Sequence, residues 1–320
     1  MTNFLIRLIG LKKRIYSGYI VTGAVTLVIA LLSYAVFTGL SNDFRAIILF
    51  NRQATENITL VTQMSEMQRQ ALVYISAGHH AAAERVGVIY NDMIARIEQI
   101  QGGGQLDVDA HVLLTKKHLR SYHEAFLEVR RQHEIQQQLV REEFRKHASE
   151  AQRLIERQLS ALEGDDAEQT LIYLRMLNFL LQIEKNAYRY FDSLDLVFVN
   201  AASESIRATS SVLDSLSSPL VSEQERLAEI KNVLERYETS FLEAVQRTRG
   251  YLYLVNVVMS AQAYETIYQS KRLGELMLRE SERIQEEVLQ DIGSTLNILV
   301  LSIIFLLLFI SFFSTHPVHL

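Results

Sequence analysis

The chain of 320 residues has no cysteine, only 2 prolines and 13 glycines, and 22% charged residues. Without cysteine there is no disulfide scaffold, no zinc-thiolate site and no cysteine nucleophile, and an oxidising compartment does the chain no harm. So few breakers argue for helices and against a β-sandwich, a barrel or a disordered protein. No long basic run marks a nucleic-acid surface, and the formal net charge is −5. The phosphate loop G-x-x-x-x-G-K-[ST], a G-x-G-x-x-G turn after a strand and the zinc helix H-E-x-x-H are all absent from the sequence. His111, His118 and His123 lie on one helix, but spacings of seven and five do not put three ligands on one face. No metal, cofactor or catalytic residue is expected.

Two stretches are apolar in the way a bilayer requires. Residues 19–40 carry no charge, inside an uncharged window of 15–42, and residues 292–313 are equally free of charge. A spanning helix needs roughly 20 such residues, and a globular helix would keep a polar face that these lack. Arg7, Lys12, Lys13 and Arg14 precede the first stretch with no acid among them. Positive-inside bias then holds the N-terminal tail, 1–18, in the cytoplasm. The apolar run is longer than a signal peptide's core and ends in no A-x-A site, so an uncleaved anchor is expected. Two spans return 314–320 to the same side and leave 41–291 outside the cytoplasmic membrane. All 37 acids fall in that outer part. A large insert between two spans is a receptor layout, whereas a transporter needs more spans to enclose a path.

Within 41–291 apolar residues recur at three and four, as at Leu174, Leu177, Leu180, Leu181 and Ile183. Gly78, Gly102 to Gly104, Gly164 to Asp166, a softer break near Asp192 to Asp195, and Ser217 to Pro219 divide the stretch into six helices. The expected spans are 41–77, 79–101, 108–163, 166–192, 196–216 and 222–290. Asp107 or Asp109 caps the third, and Ser222 with Glu225 forms a capping box for the sixth. Helix 6 extends roughly 100 Å, nearly twice helix 1. The lengths close as an all-α fold of two stacked four-helix bundles. Helices 1 and 2, the first half of 3 and the second half of 6 make the membrane-proximal one. Helices 4 and 5 and the remaining halves make the distal one. An internal repeat supports this: Tyr122, Phe126, Leu127 and Glu128 match Tyr237, Phe241, Leu242 and Glu243 at an offset of 115, and Ala71 and Tyr74 match Ala187 and Tyr190 at 116.

Candidate site residues are polar or aromatic groups placed to turn inward. Arg69 lies among Met64, Met67, Ala71 and Leu72, with Tyr74 five residues on. In the distal bundle Lys185, Tyr188 and Arg189 crowd one turn, with Tyr237 opposite. An Arg held in a bundle can bind a carboxylate bidentately; the alternative is an ordinary surface pair with Glu66 or Glu184. The stretch around Gly250 and Asn256 is apolar nearly all round. It reads as a buried junction and a signal relay, with Asn256 as a buried amide needing partners. Leu196 and Phe198, with Leu194, Val197 and Val199, make an apolar run rimmed by Asp192, Asp195 and Glu204; with the turn at 217–222 it reads as a partner-docking surface.

Residues 253–268, YLVNVVMSAQAYETIY, resemble the sensor region of the TorS family of hybrid histidine kinases and the related helical bimodular domains of chemoreceptors. Ser260 and Ala261 stand where that pattern has Ala-Gly. Pro317 with Leu320 resembles the opening of a HAMP linker, with His316 in place of the usual Arg. The resemblance implies a homodimeric two-component sensor whose output domain lies outside this fragment. It would read a periplasmic solute through a docked solute-binding protein. The alternative it implies is a chemoreceptor binding a small organic acid directly. Of the arginines such a proximal ligand site would use, on helices 1 and 6, only Arg69 matches; helix 6 offers Gln262 and Tyr264 in the relevant stretch, and this favours docking.

Overall fold

The computed structural model describes residues 2–100, 106–162, 167–216 and 221–315, and these form six helices with no strand among the described residues. They are α1, Thr2–Ala77; α2, His80–Gln99; α3, which runs from Leu106–Gln138 through a π-helical segment Leu139–Phe144 into Arg145–Ala161; α4, Ala167–Ser193; α5, Leu196–Ser215; and α6, which runs from Val221–Tyr253 through a second π-helical segment Leu254–Met259 into Ser260–Thr315. The all-α expectation therefore holds; the helix ends inside 41–291 lie within a few residues of their expected places, while α1 begins at Thr2 and α6 continues to Thr315. α3 and α6 stay helical through 135–138 and 250–256. Two caps are corrected. Asp107 and Asp109 sit inside the first turn of α3, where their charge complements the helix dipole, and Ser222 lies inside α6. The glycine breaks at 102–104 and 164, the turn at 217–220, and the linker residues His316, Pro317 and Leu320 lie outside the described residues.

Gly78 ends α1 in the left-handed region, at φ 69°, and its N–H donates to the Tyr74 carbonyl at 2.8 Å. Glycine takes this conformation without a Cβ penalty. Leu194 ends α4 in the same way, at φ 60°, donating to the Tyr190 carbonyl at 2.6 Å. A leucine there is strained.

The described chain divides into two compact units. One draws on Met1–Ser65, Asp92–Lys116 and Thr266–Leu320, the other on Glu66–Asn91 and Lys117–Glu265. In the first, Arg96 on α2 pairs with Glu56 on α1, Lys116 on α3 meets Glu98 on α2, and His111 on α3 bonds Gln269 on α6. Asn57 on α1 meets Met277 on α6, and a Cβ added at Gly274 would sit 3.5 Å from Asn57 Cβ. α1 and α6 thus pack closely there. In the second unit the later part of α3, α4, α5 and the earlier part of α6 pack in a ring around Phe144, Ile155, Leu180, Ile206, Val233 and Phe241.

The repeat extends through the whole core. Leu60, Met64, Met67, Ala71 and Tyr74 of α1 are buried, and so are Met176, Leu180, Ile183, Ala187 and Tyr190 of α4, each 116 residues later. Val86, Ile89, Met93 and Ile97 of α2 correspond at the same offset to Ala202, Ser205, Thr209 and Leu213 of α5, all buried. Leu119, Tyr122, Phe126 and Val129 of α3 correspond to Leu234, Tyr237, Phe241 and Ala244 of α6, now at 115. The two left-handed residues, Gly78 and Leu194, and the two π-helical segments are also equivalent. The offset falls by one because the α2–α3 connection is one residue longer than the α5–α6 connection.

α1 and α6 are each long and apolar enough to cross a membrane, and almost nothing packs on their apolar windows.

Candidate functional site

Arg69 does not turn inward. Its side chain is 66% exposed, and its Nε and Nη2 donate to both carboxylate oxygens of Glu66 at 2.8 and 2.7 Å. Gln70 and Arg69, both donating to it, hold the Glu66 carboxyl below its usual range. The spacing of three on one helix lets the pair form outside the core, and such an exposed pair contributes little. Tyr264 is 67% exposed, so it lines no interior site. Gln262 is half-buried and its Oε1 meets His118 Nδ1 at 2.8 Å. Of the four proximal candidates only Tyr74 lies fully in the core.

Tyr74 is brought instead to a buried polar layer that the sequence reading missed. Its ring centroid is 5.1 Å from that of His133 and 6.0 Å from that of Phe126, and His133 is 5.5 Å from Tyr251. Burial pushes the His133 imidazole below its ordinary value; nearby Glu134 and a bond to the Ile75 carbonyl oppose this, while Arg141 and His80 add to it. The Tyr74 hydroxyl and Gln136 Oε1 have no hydrogen-bond partner. His133 sits in a charged run, Arg130 to Glu134, which disguised it. Its buried register with Val129 and Gln136 was the available signal.

The distal candidates separate in the same way. Tyr237 stacks on Phe144 at 4.3 Å, and Tyr188 meets the edge of Phe144 at 5.8 Å. Lys185 and Arg189 face outward, and the Arg189 guanidinium lies 5.4 Å over the Phe198 ring. Tyr237 is buried with an unpartnered hydroxyl, and burial followed by the charge of Glu184 pushes its pKa far up. Glu184, expected as a surface partner of the distal cations, is half-buried, and burial raises its pKa, with Arg145 opposing. The distal interior therefore offers a neutral hydroxyl and a carboxyl, and its expected cations lie outside.

Asp195 caps α5, accepting from the Val197 N–H at 3.0 Å, so its role is at least structural. Leu194, Leu196 and Val197 are exposed, Val197 at 63%, whereas Phe198 and Val199 pack against the core. The apolar run is thus split: its first part is surface and its second part interior.

The expected buried junction is corrected too. Gly250 is exposed, and a Cβ added to it would meet nothing within 4 Å. Asn256 is exposed and needs no buried partner. The π-helical segment widens the turn there and keeps Val255 and Met259 inward while Asn256 and Val257 face out. Beside it runs an open groove of about 730 Å³, lined by Glu128, Gln132, Arg247, Gly250, Tyr253 and Leu254 among others. Arg247 bridges Gln132 Oε1 and Glu243 Oε1, both at 2.9 Å.

No cluster among the described residues could hold a metal ion. His123 stacks flat on Tyr90 at 3.9 Å, and burial lowers its pKa. No protein-family model matches the chain, and no curated protein matches it.

Proposed function

We propose that the chain is the sensing part of a two-span membrane receptor of the TorS type. Residues 41–291 would stand outside the inner membrane as two stacked four-helix bundles. The observation that carries this reading is continuity: α1 and α6 each pass without a break from an apolar, unpacked window into a duplicated helical core. A helix that is one rigid body across that boundary transmits rotation or translation, as a flexible linker does not. Charge-free composition over the two windows suits lipid, and the duplicated core suits a modular sensor.

A docked solute-binding protein is favoured over a directly bound acid. Arg69, the residue that an acid site would need, is spent on Glu66 at the surface. Leu194, Leu196 and Val197 form an exposed apolar patch next to Asp192 and Asp195, the composition of an interaction site. The homodimer has support on α1. Phe44, Ile48, Asn51, Thr55, Ile58, Thr62 and Ser65 recur at alternating steps of four and three and all face outward. They carry no charge, and Phe44, Ile48 and Ile58 give the stripe apolar contacts at the spacing of a two-stranded helical seam.

The test is capture from periplasmic extract on the full chain in lipid nanodiscs, with and without candidate solutes. Retention of a solute-binding protein, lost in Leu196→Asp and Val197→Asp, supports the reading. No retained binding protein, or retention indifferent to both substitutions, contradicts it.

A further inference from the structure

We propose that the π-helical segment of α6, Leu254–Met259, is a movable one-residue insertion, the joint through which α6 turns. This rests on the receptor reading above for its purpose, though not for its geometry. The buried positions of α3 alternate in steps of three and four through Leu119, Tyr122, Phe126, Val129, His133 and Gln136. The next steps, to Val140, Phe144 and Ala148, are all of four, with Val140 half-buried and the others buried. α6 does the same: Leu234, Tyr237, Phe241, Ala244, Thr248 and Tyr251 alternate, then Val255, Met259 and Ala263 follow at four. In an α-helix three steps of four swing the apolar face by about 120°. A wider turn absorbs one extra residue and keeps the face on the core. Each π-helical segment is therefore an α-helix plus one residue, and the surplus sits on the exposed side, at Arg141 in α3 and at Asn256 in α6.

The two insertions are not equally firm. In α6 the Ser260 hydroxyl donates to the Val255 carbonyl at 3.0 Å, taking up an acceptor that the helical ladder would otherwise use. The equivalent residue in α3 is Arg145. Four residues before the segment α6 has Gly250, where α3 has Ile135. Nothing in the packing requires that glycine, since a Cβ would meet no atom within 4 Å, yet glycine weakens a helix interior. Both softening features belong to α6, the helix that continues to an apolar window, and α3 has neither. Moving the surplus residue along α6 turns the stretch it crosses by roughly 100° and shifts it by about 1.5 Å.

The experiment is hydrogen exchange on the full chain in nanodiscs, with three deletions. In wild type, amides at 250–260 should exchange at least about tenfold faster than those at 135–145. Deleting Asn256 restores alternating spacing, so the chain should fold with its core intact and 250–260 should exchange within about twofold of the flanking helix. Deleting Arg141 should likewise be tolerated. Deleting Glu235, an exposed residue in a regular part of α6, should unfold the second unit. Equal exchange at the two insertions, or loss of folding on deleting Asn256 as severe as on deleting Glu235, overturns the proposal. Failed partner capture would remove the receptor reading and leave these exchange results unchanged, so the two failures are distinct.

Discussion

Replacing Tyr237 by phenylalanine should stabilise the protein. The Tyr237 side chain is fully buried, its ring stacks on Phe144 at 4.3 Å, and its hydroxyl has no partner. Phenylalanine keeps the ring and its stacking and removes only the oxygen. A hydroxyl buried without a hydrogen bond costs about 1–3 kcal/mol in protein mutational data. The lower end applies if neighbouring side chains relax, so a gain of about 1 kcal/mol is expected, or about 2–4 °C in Tm for a domain of this size. Urea unfolding of the full chain in detergent, followed by far-ultraviolet circular dichroism, measures it with an unchanged slope. Tyr74→Phe should behave alike, because its hydroxyl is also buried and unpartnered. Destabilisation by more than about 1 kcal/mol would refute the reasoning. It would mean that the Tyr237 hydroxyl bonds a group such as Glu184, whose charge already bears on it.

Leu194→Gly should stabilise by about 1 kcal/mol, since Leu194 holds φ at 60° while its side chain is exposed; thermal unfolding checks this. His133 is held neutral by burial, so its pKa lies below that of the unfolded chain. Its contribution is complete above the ordinary histidine range and is lost as pH falls through the folded value, at about 1.4 kcal/mol per unit of depression. His123 is lowered as well, so the comparison is between wild type and His133→Gln, whose stability should fall less steeply below pH 6.5. Ile58→Lys should convert a dimer to monomer in analytical ultracentrifugation without lowering helix content, because Ile58 is exposed on the charge-free face of α1.

The helices were legible because their period is written in apolar residues and because their ends fall on glycine and acid–serine clusters. The duplication was legible from two short matches, since buried positions fix register and tolerate little else. The inward-turning cations were not. Arg69 and Lys185 sit beside apolar runs in the sequence, yet a long side chain on a helix reaches solvent or a carboxylate three residues away at little cost, as Arg69 does with Glu66. Asn256 was misplaced for a different reason: its stretch is apolar nearly all round and reads as buried, whereas Asn256 stands on the exposed side of the π-helical segment. His133 was overlooked because it stands in a charged run whose neighbours face water, and Glu184 was taken for a surface partner because Lys185 follows it; burial is the main cause of both shifts.

The central claim is that α1 and α6 carry a sensor across a membrane with 41–291 on the outer face. The absence of cysteine makes single-cysteine labelling clean. Ser193, exposed at the end of α4, is replaced by cysteine in one variant and Asn3 in another, and intact cells are treated with a membrane-impermeant maleimide. The account predicts labelling of Ser193→Cys in intact cells and of Asn3→Cys only after the membrane is opened. Labelling of both in intact cells, or of neither until lysis, would contradict it.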